Sequence, residues 1–127
     1  MAPEAGIAPK TEAEPVFLPQ ADINPAQLLA RIKNRDAIVL LDSRPPREFL
    51  AGHLPGAKNI PLEQLPDAFE SFSNTAEIVV YDRLMERSRK AVRQLGQTGL
   101  KARALSGGIA VWAMAGYQLE ASPREGP

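Results

Sequence analysis

The sequence predicts an α/β fold, a central parallel sheet of about five short strands with helices on both faces. Three observations carry that expectation. Residues 37–41 and 77–81 are short, nearly continuous apolar runs, the mark of strands buried on both faces. Each run is followed by an aspartate, Asp42 and Asp82. Segments with helical spacing alternate with the runs, and 127 residues that are 44% hydrophobic suit one core with no second folded unit.

In chain order, residues 1–19 are polar and acidic, are interrupted by Pro3, Pro9, Pro15 and Pro19, and lack apolar periodicity. They are expected to form an extended, mobile linker ahead of a folded domain over 20–121, with 122–127 a flexible tail. Asn24 and Pro25 make a cap and a first helical residue, and Leu28, Leu29 and Ile32 follow at helix spacing, which predicts a helix over 25–33. The strand at 37–41 comes next. A short helix near 47–51 closed by Gly52, a short strand at 57–60 and a helical segment near 64–72 lead to the strand at 77–81.

A polar loop after Asp82 precedes a helix over 88–97, whose Ala91, Val92 and Leu95 form an inward stripe and which Gly96 or Gly99 ends. Residues 102–105 supply another strand. Gly107 and Gly108 open a last helix carrying Ile109, Val111, Trp112 and Met114, read as core packing. In such sheets ligands bind beyond the carboxyl ends of the strands, where Asp42 and Asp82 sit.

Composition narrows the chemistry. The formal net charge is zero, so whole-molecule electrostatics give no reason to expect nucleic acid or an anionic membrane as partner. No apolar run approaches the roughly 18 residues of a membrane span. The start lacks the basic and apolar regions of a signal peptide, so a cytoplasmic protein, or one whose leader has been removed, is expected. There is no cysteine, which removes disulfides, thiolate metal sites and thiol nucleophiles together. With His53 the only histidine, a transition metal has little to bind; a hydrogen-bonded structural histidine, no metal and no cofactor are expected.

The segment from Asp42 to Ile60, reading DSRPPREFLAGHLPGAKNI, resembles the first signature of the rhodanese family, D-x-R-x-x-x-E-F/Y-x-x-G-H-I-P-G-A. Gly107-Gly108-Ile109-Ala110-Val111-Trp112, followed by Ala115-Gly116-Tyr117, resembles its closing signature. The resemblance spans about Ala21 to Glu120. It implies a sulfurtransferase scaffold in which a strand ends in a cysteine opening the loop C-R-x-G-x-R, followed by Ser or Thr and a helix. This chain reads Asp82-Arg83-Leu84-Met85-Glu86-Arg87-Ser88: Arg83, Arg87 and Ser88 match, the cysteine has become Asp82 and the glycine Met85.

In the family, the thiolate attacks a sulfane sulfur, becomes a persulfide and passes the sulfur on. A carboxylate forms no such intermediate, so no sulfur transfer is expected here. Asp82 nevertheless suits a loop whose inward N–H groups and helix N-terminus favour negative charge. Folded inward, it is a built-in anion, the orientation that charge-assisted hydrogen bonds favour. Turned outward, it leaves the amides and Arg87 free for a sulfate or phosphate.

Asp42 and Arg44 read as a structural ion pair fixing the loops. Arg83, Arg87, Arg89, Lys90 and Arg93 make a locally basic stretch, although Glu86 and Lys90 are spaced to pair on a solvated helix face. Three functions compete: a non-catalytic module that binds or regulates a protein partner, a small-anion sensor, and a residual sulfurtransferase-like or phosphatase-like enzyme using Asp82. The phosphatase-like reading lacks the second carboxylate at the usual offset that magnesium-dependent aspartyl-phosphate chemistry needs.

Overall fold

A computed structural model describes residues 22–68, 72 and 76–121. The expected linker at 1–19, the tail at 122–127 and residues 69–71 of the segment near 64–72 lie outside the described residues. The elements follow in the order α1 (Pro25–Lys33), β1 (Ile38–Asp42), α2 (Pro46–Ala51), β2 (Lys58–Asn59), a 3-10 turn (Leu62–Gln64) running into α3 (Leu65–Ala68), β3 (Glu77–Tyr81), α4 (Met85–Gln97), β4 (Ala102–Ala104) and α5 (Gly108–Met114).

Local chemistry accounts for α1. The Asn24 side chain accepts the Gln27 N–H at 2.8 Å, the Gln27 side chain accepts the Asn24 N–H at 2.9 Å, and Pro25 occupies the first turn, where its missing N–H costs nothing. At the far end Arg35 turns into the left-handed region at φ 59° and carries the chain into β1.

All strand pairs are parallel, in the order β2-β1-β3-β4. Among the described residues four strands are formed where about five were expected. The remainder is a single bridge in which Ile23 lies beside Leu105, donating to the Ala104 carbonyl (3.0 Å) and accepting from the Ser106 N–H (2.8 Å). Strand periodicity sends neighbours to opposite faces. Leu41, Ile78 and Val80 join Leu62 and Leu65 and the Ala91, Val92 and Leu95 stripe of α4 on one face. Leu40, Val79 and Tyr81 join Leu28 of α1, Leu54 and Trp112 of α5 on the other. Each fully buried aliphatic side chain contributes about 1.5–3 kcal/mol, so these two layers hold the helices on the sheet.

Two expectations are corrected. The helix after β3 starts at Met85, not Ser88, so the loop is only Asp82-Arg83-Leu84, and Met85, Glu86, Arg87 and Ser88 belong to the first turns of α4. In α5, Trp112 is buried with its indole N–H on the Gln118 carbonyl (2.8 Å), whereas Val111 is 41% and Met114 84% exposed. Gly108, Ile109 and Trp112 make the inward face, leaving Val111 and Met114 on the outer one.

Candidate functional site

The parallel order brings the carboxyl ends of β1 and β3 side by side, with Asp42 in register with Tyr81, so Asp42 and Asp82 meet at one end of the sheet. Asp42 forms the first half of the site. Its Oδ1 accepts the Arg44 N–H (2.9 Å) and Nε–H (3.0 Å), and its Oδ2 accepts Arg44 Nη2–H (2.7 Å). Arg44 also donates to the Gly52 carbonyl (2.6 Å), which ties the loop after β1 to the end of α2. Its guanidinium lies 5.8 Å from the Tyr81 ring centroid, a cation–π distance. The Asn59 side chain donates to the carbonyls of Asp42 (3.0 Å) and Arg44 (2.9 Å), so β2 closes the same turn.

Tyr81 is fully buried and its hydroxyl accepts the Leu54 N–H at 3.0 Å. Burial, reinforced by the negative charge of Asp42, pushes its phenol well above the ordinary tyrosine range. His53 stacks on Phe49 with ring centroids 3.9 Å apart, and its Nδ1 is 2.8 Å from the Phe49 carbonyl, which makes Nδ1 the protonated nitrogen.

Asp82, in the position of the family's nucleophile, is 1% exposed and points inward. One carboxylate oxygen accepts the Ser43 hydroxyl at 2.7 Å and Arg87 Nε–H at 3.1 Å; the other accepts the Arg83 N–H at 2.6 Å. Backbone amides therefore play a smaller part than the loop pattern suggested. Only the Arg83 N–H reaches the carboxylate, because the chain is already helical at Met85 and the amides of Arg87 and Ser88 turn to the Leu84 carbonyl (3.2 and 3.4 Å). The remaining donors are side chains. Arg87 is one-third exposed; beyond Asp82 it reaches the Ser43 carbonyl (3.4 Å) and the Glu63 carboxylate (3.7 Å).

The other loop residues have distinct places. Arg83 forms a two-pronged pair with Glu48 of α2 (2.9 and 3.1 Å), strapping the loop to that helix. Leu84 is exposed, and Glu86 has no ion pair with Lys90 among the described residues. Ser88 is buried and donates to the Met85 carbonyl (3.1 Å). Met85, standing where the family has glycine, presents its Sδ to the Gly107 N–H at 3.2 Å and so joins the start of α4 to that of α5. Gly108 completes that junction: at φ 64°, a Cβ on it would lie 2.3 Å from the Asp82 carbonyl oxygen.

Sequence reasoning did not single out Ser43, Asn59, Glu63 or Tyr81, and it marked Glu48 only as a position of the first signature. Ser43 fills the variable position between Asp42 and Arg44, and its role follows only from the β1–β3 pairing. Among the described residues no group of His, Cys, Asp and Glu is arranged to hold a metal, and no helix is long and apolar enough to cross a membrane.

A parallel α/β sheet whose central strands end on loops that run straight into helices defines a class of small domains that carry their candidate site at the carboxyl ends of the strands. The chain belongs to the rhodanese-like domain family, whose model matches residues 24–115. It is 34% identical over 104 residues to an HTH-type transcriptional regulator of Mycobacterium tuberculosis, covering 80% of this chain and 46% of that protein. To a sulfurtransferase of Allochromatium vinosum it is 30% identical, covering 79% of this chain and 94% of that protein. The chain thus spans about half the length of the curated relatives it matches in Mycobacterium tuberculosis (46%) and Synechocystis (50%). Among solved structures, a rhodanese-related protein of Thermoplasma volcanium superposes with a TM-score of 0.73 at 32% identity, covering 80% of this chain and 98% of that one.

Proposed function

We propose that this chain is a non-catalytic rhodanese-like module that serves protein binding or regulation, its former active site filled by its own carboxylate. The observation that carries this reading is the hydrogen bonding of Asp82. Ser43, Arg83 and Arg87 give it the charge-assisted contacts that a bound anion or a persulfide would otherwise take. Oxygen in place of sulfur removes the thiophilic nucleophile, and the chain has no cysteine to replace it. The similarity to one half of a transcriptional regulator supports a regulatory setting.

The same contacts weigh against small-anion sensing, because Arg87, the cation such a sensor needs, is already paired and an incoming sulfate meets the Asp82 charge. For phosphatase chemistry, the second carboxylate that Arg87 reaches among the described residues is Glu63, an exposed side chain 3.7 Å from its Nη2.

The deciding experiment is a thiosulfate:cyanide sulfurtransfer assay on the parent and on an Asp82→Cys, Met85→Gly double variant that restores the family loop. We expect no turnover in the parent and a gain in the variant. Turnover in the parent, abolished by Asp82→Asn, overturns the reading.

A further inference from the structure

Away from the filled site, the sheet has an open edge. The β1–β3 ladder uses the backbone groups of alternate residues: the Glu77 N–H donates to the Ala37 carbonyl and the Ser43 N–H to the Tyr81 carbonyl, both at 3.1 Å. The intervening residues of β1, Ile38, Leu40 and Asp42, therefore turn their N–H and C=O groups to the other side. There β2 covers only the end of the strand, pairing Leu41 with Lys58 and Asp42 with Asn59. Among the described residues no strand lies beside the N–H groups of Ile38 and Leu40 or the Ile38 carbonyl.

That gap is a groove of about 220 Å³ between the end of α1 and the turn before β2, with Ile32, Ile38 and Leu40 as its apolar lining and Pro55, Gly56 and Lys58 across from them. It falls below the roughly 300–1,000 Å³ of small-molecule pockets. Main-chain donors and an acceptor at strand spacing beside a single apolar hollow are what an extended peptide satisfies.

Charge narrows the occupant. The groove's own acid, Asp36, is held by Arg31 and Asn34. Glu120, at the Gly56 end, accepts the Gly56 N–H (3.3 Å) and faces His53 (3.8 Å). Lys58, and Lys33 and Arg35 next in sequence to the lining residues Ile32 and Asp36, have no ionic partner among the described residues. With Asp36 already paired, the uncompensated charge on the groove's own lining is the positive charge of Lys58.

We propose that the free edge of β1 accepts an extended segment of another polypeptide as an added strand, with one apolar side chain in the groove and a flanking carboxylate toward Lys58. This inference stands apart from the reading of Asp82 and does not depend on it.

Amide hydrogen exchange followed by NMR on the full chain tests it, with a synthetic acetylated Glu-Val-Ile-Val-Glu peptide as the probe. Saturating peptide should slow exchange at Ile38 and Leu40 about tenfold or more. The same peptide methylated on alternate backbone nitrogens should have no such effect, and Lys58→Glu should weaken binding about threefold or more. Unchanged exchange at both amides in millimolar peptide overturns the proposal. An equal response to the methylated peptide overturns it too, by reducing the site to apolar contact. Slowing that appears without peptide and grows with protein concentration identifies a second copy as the occupant and overturns the assignment to a different partner.

Discussion

A carboxylate surrounded by donors stabilises a fold in a way that a thiolate awaiting substrate does not. Asp82 is held by Ser43, Arg83 and Arg87, so removing its charge leaves Arg87 without its closest counter-ion and sets a side-chain amide among donors. Asp82→Asn is expected to cost about 1–2 kcal/mol in urea unfolding, toward the lower end for a charged hydrogen bond because the partly exposed Arg87 can be rehydrated. A change within about 0.5 kcal/mol would show that the carboxylate is a tenant and not a support. Tyr81 gives a prediction in pH. Burial first, and the nearby Asp42 charge second, raise its folded pKa above the unfolded value. The folded state therefore keeps a proton that the unfolded state loses above about pH 10. This contribution is fully present below that pH and is lost as pH rises beyond it. Stability should fall more steeply above pH 10 in the parent than in Tyr81→Phe, measured by urea unfolding at a series of alkaline pH values.

At the scale of elements, the glycine pair before α5 sets how closely that helix approaches the end of β3. Gly108 has a left-handed backbone and sits where a Cβ would fall 2.3 Å from the Asp82 carbonyl oxygen. Gly108→Ala combines backbone strain with a clash against main chain, and should cost about 2–4 kcal/mol by thermal or urea unfolding. Elements with local signals were the ones legible in the sequence. Helix α1 carries its own cap in Asn24, Pro25 and Gln27, and was read over the residues it occupies; β1 and β3 announce themselves by unbroken apolar runs. The sequence pattern places the start of α4 three residues late because its N-cap, Leu84, has no capping side chain. Tertiary contacts set that turn instead, Met85 against Gly107 and Arg87 against Asp82. In α5, apolar residues stand all round the helix, so periodicity did not separate the buried Trp112 from the exposed Val111 and Met114.

Across the whole molecule, the two faces of the sheet share strands whose alternate residues serve both cores, so neither layer has an independent foundation. Unfolding should therefore be a single transition. Trp112, the only tryptophan, is buried on the α1–α5 face and reports that layer by fluorescence, while far-UV circular dichroism reports all the helices. The two signals should give coincident midpoints; separated midpoints would show that the faces melt independently. The candidate site was legible at this scale as a place, the carboxyl ends of two strands, and as a loop sequence. Its contacts were not, because Ser43, Glu48 and Glu63 reach it from segments whose juxtaposition depends on strand order.

The ends of the described chain are fastened differently from its middle. Ile23 is held to Leu105 by one bridge and Glu120 to His53 by another, whereas β1 and β3 share a ladder of five paired residues. Under tension applied to both ends, load meets the single bridges first and peels them before the long ladder is strained. They act as mechanical fuses, yielding a short length of slack at low force while the sheet, and the carboxylate at the end of its central strand, keep their arrangement.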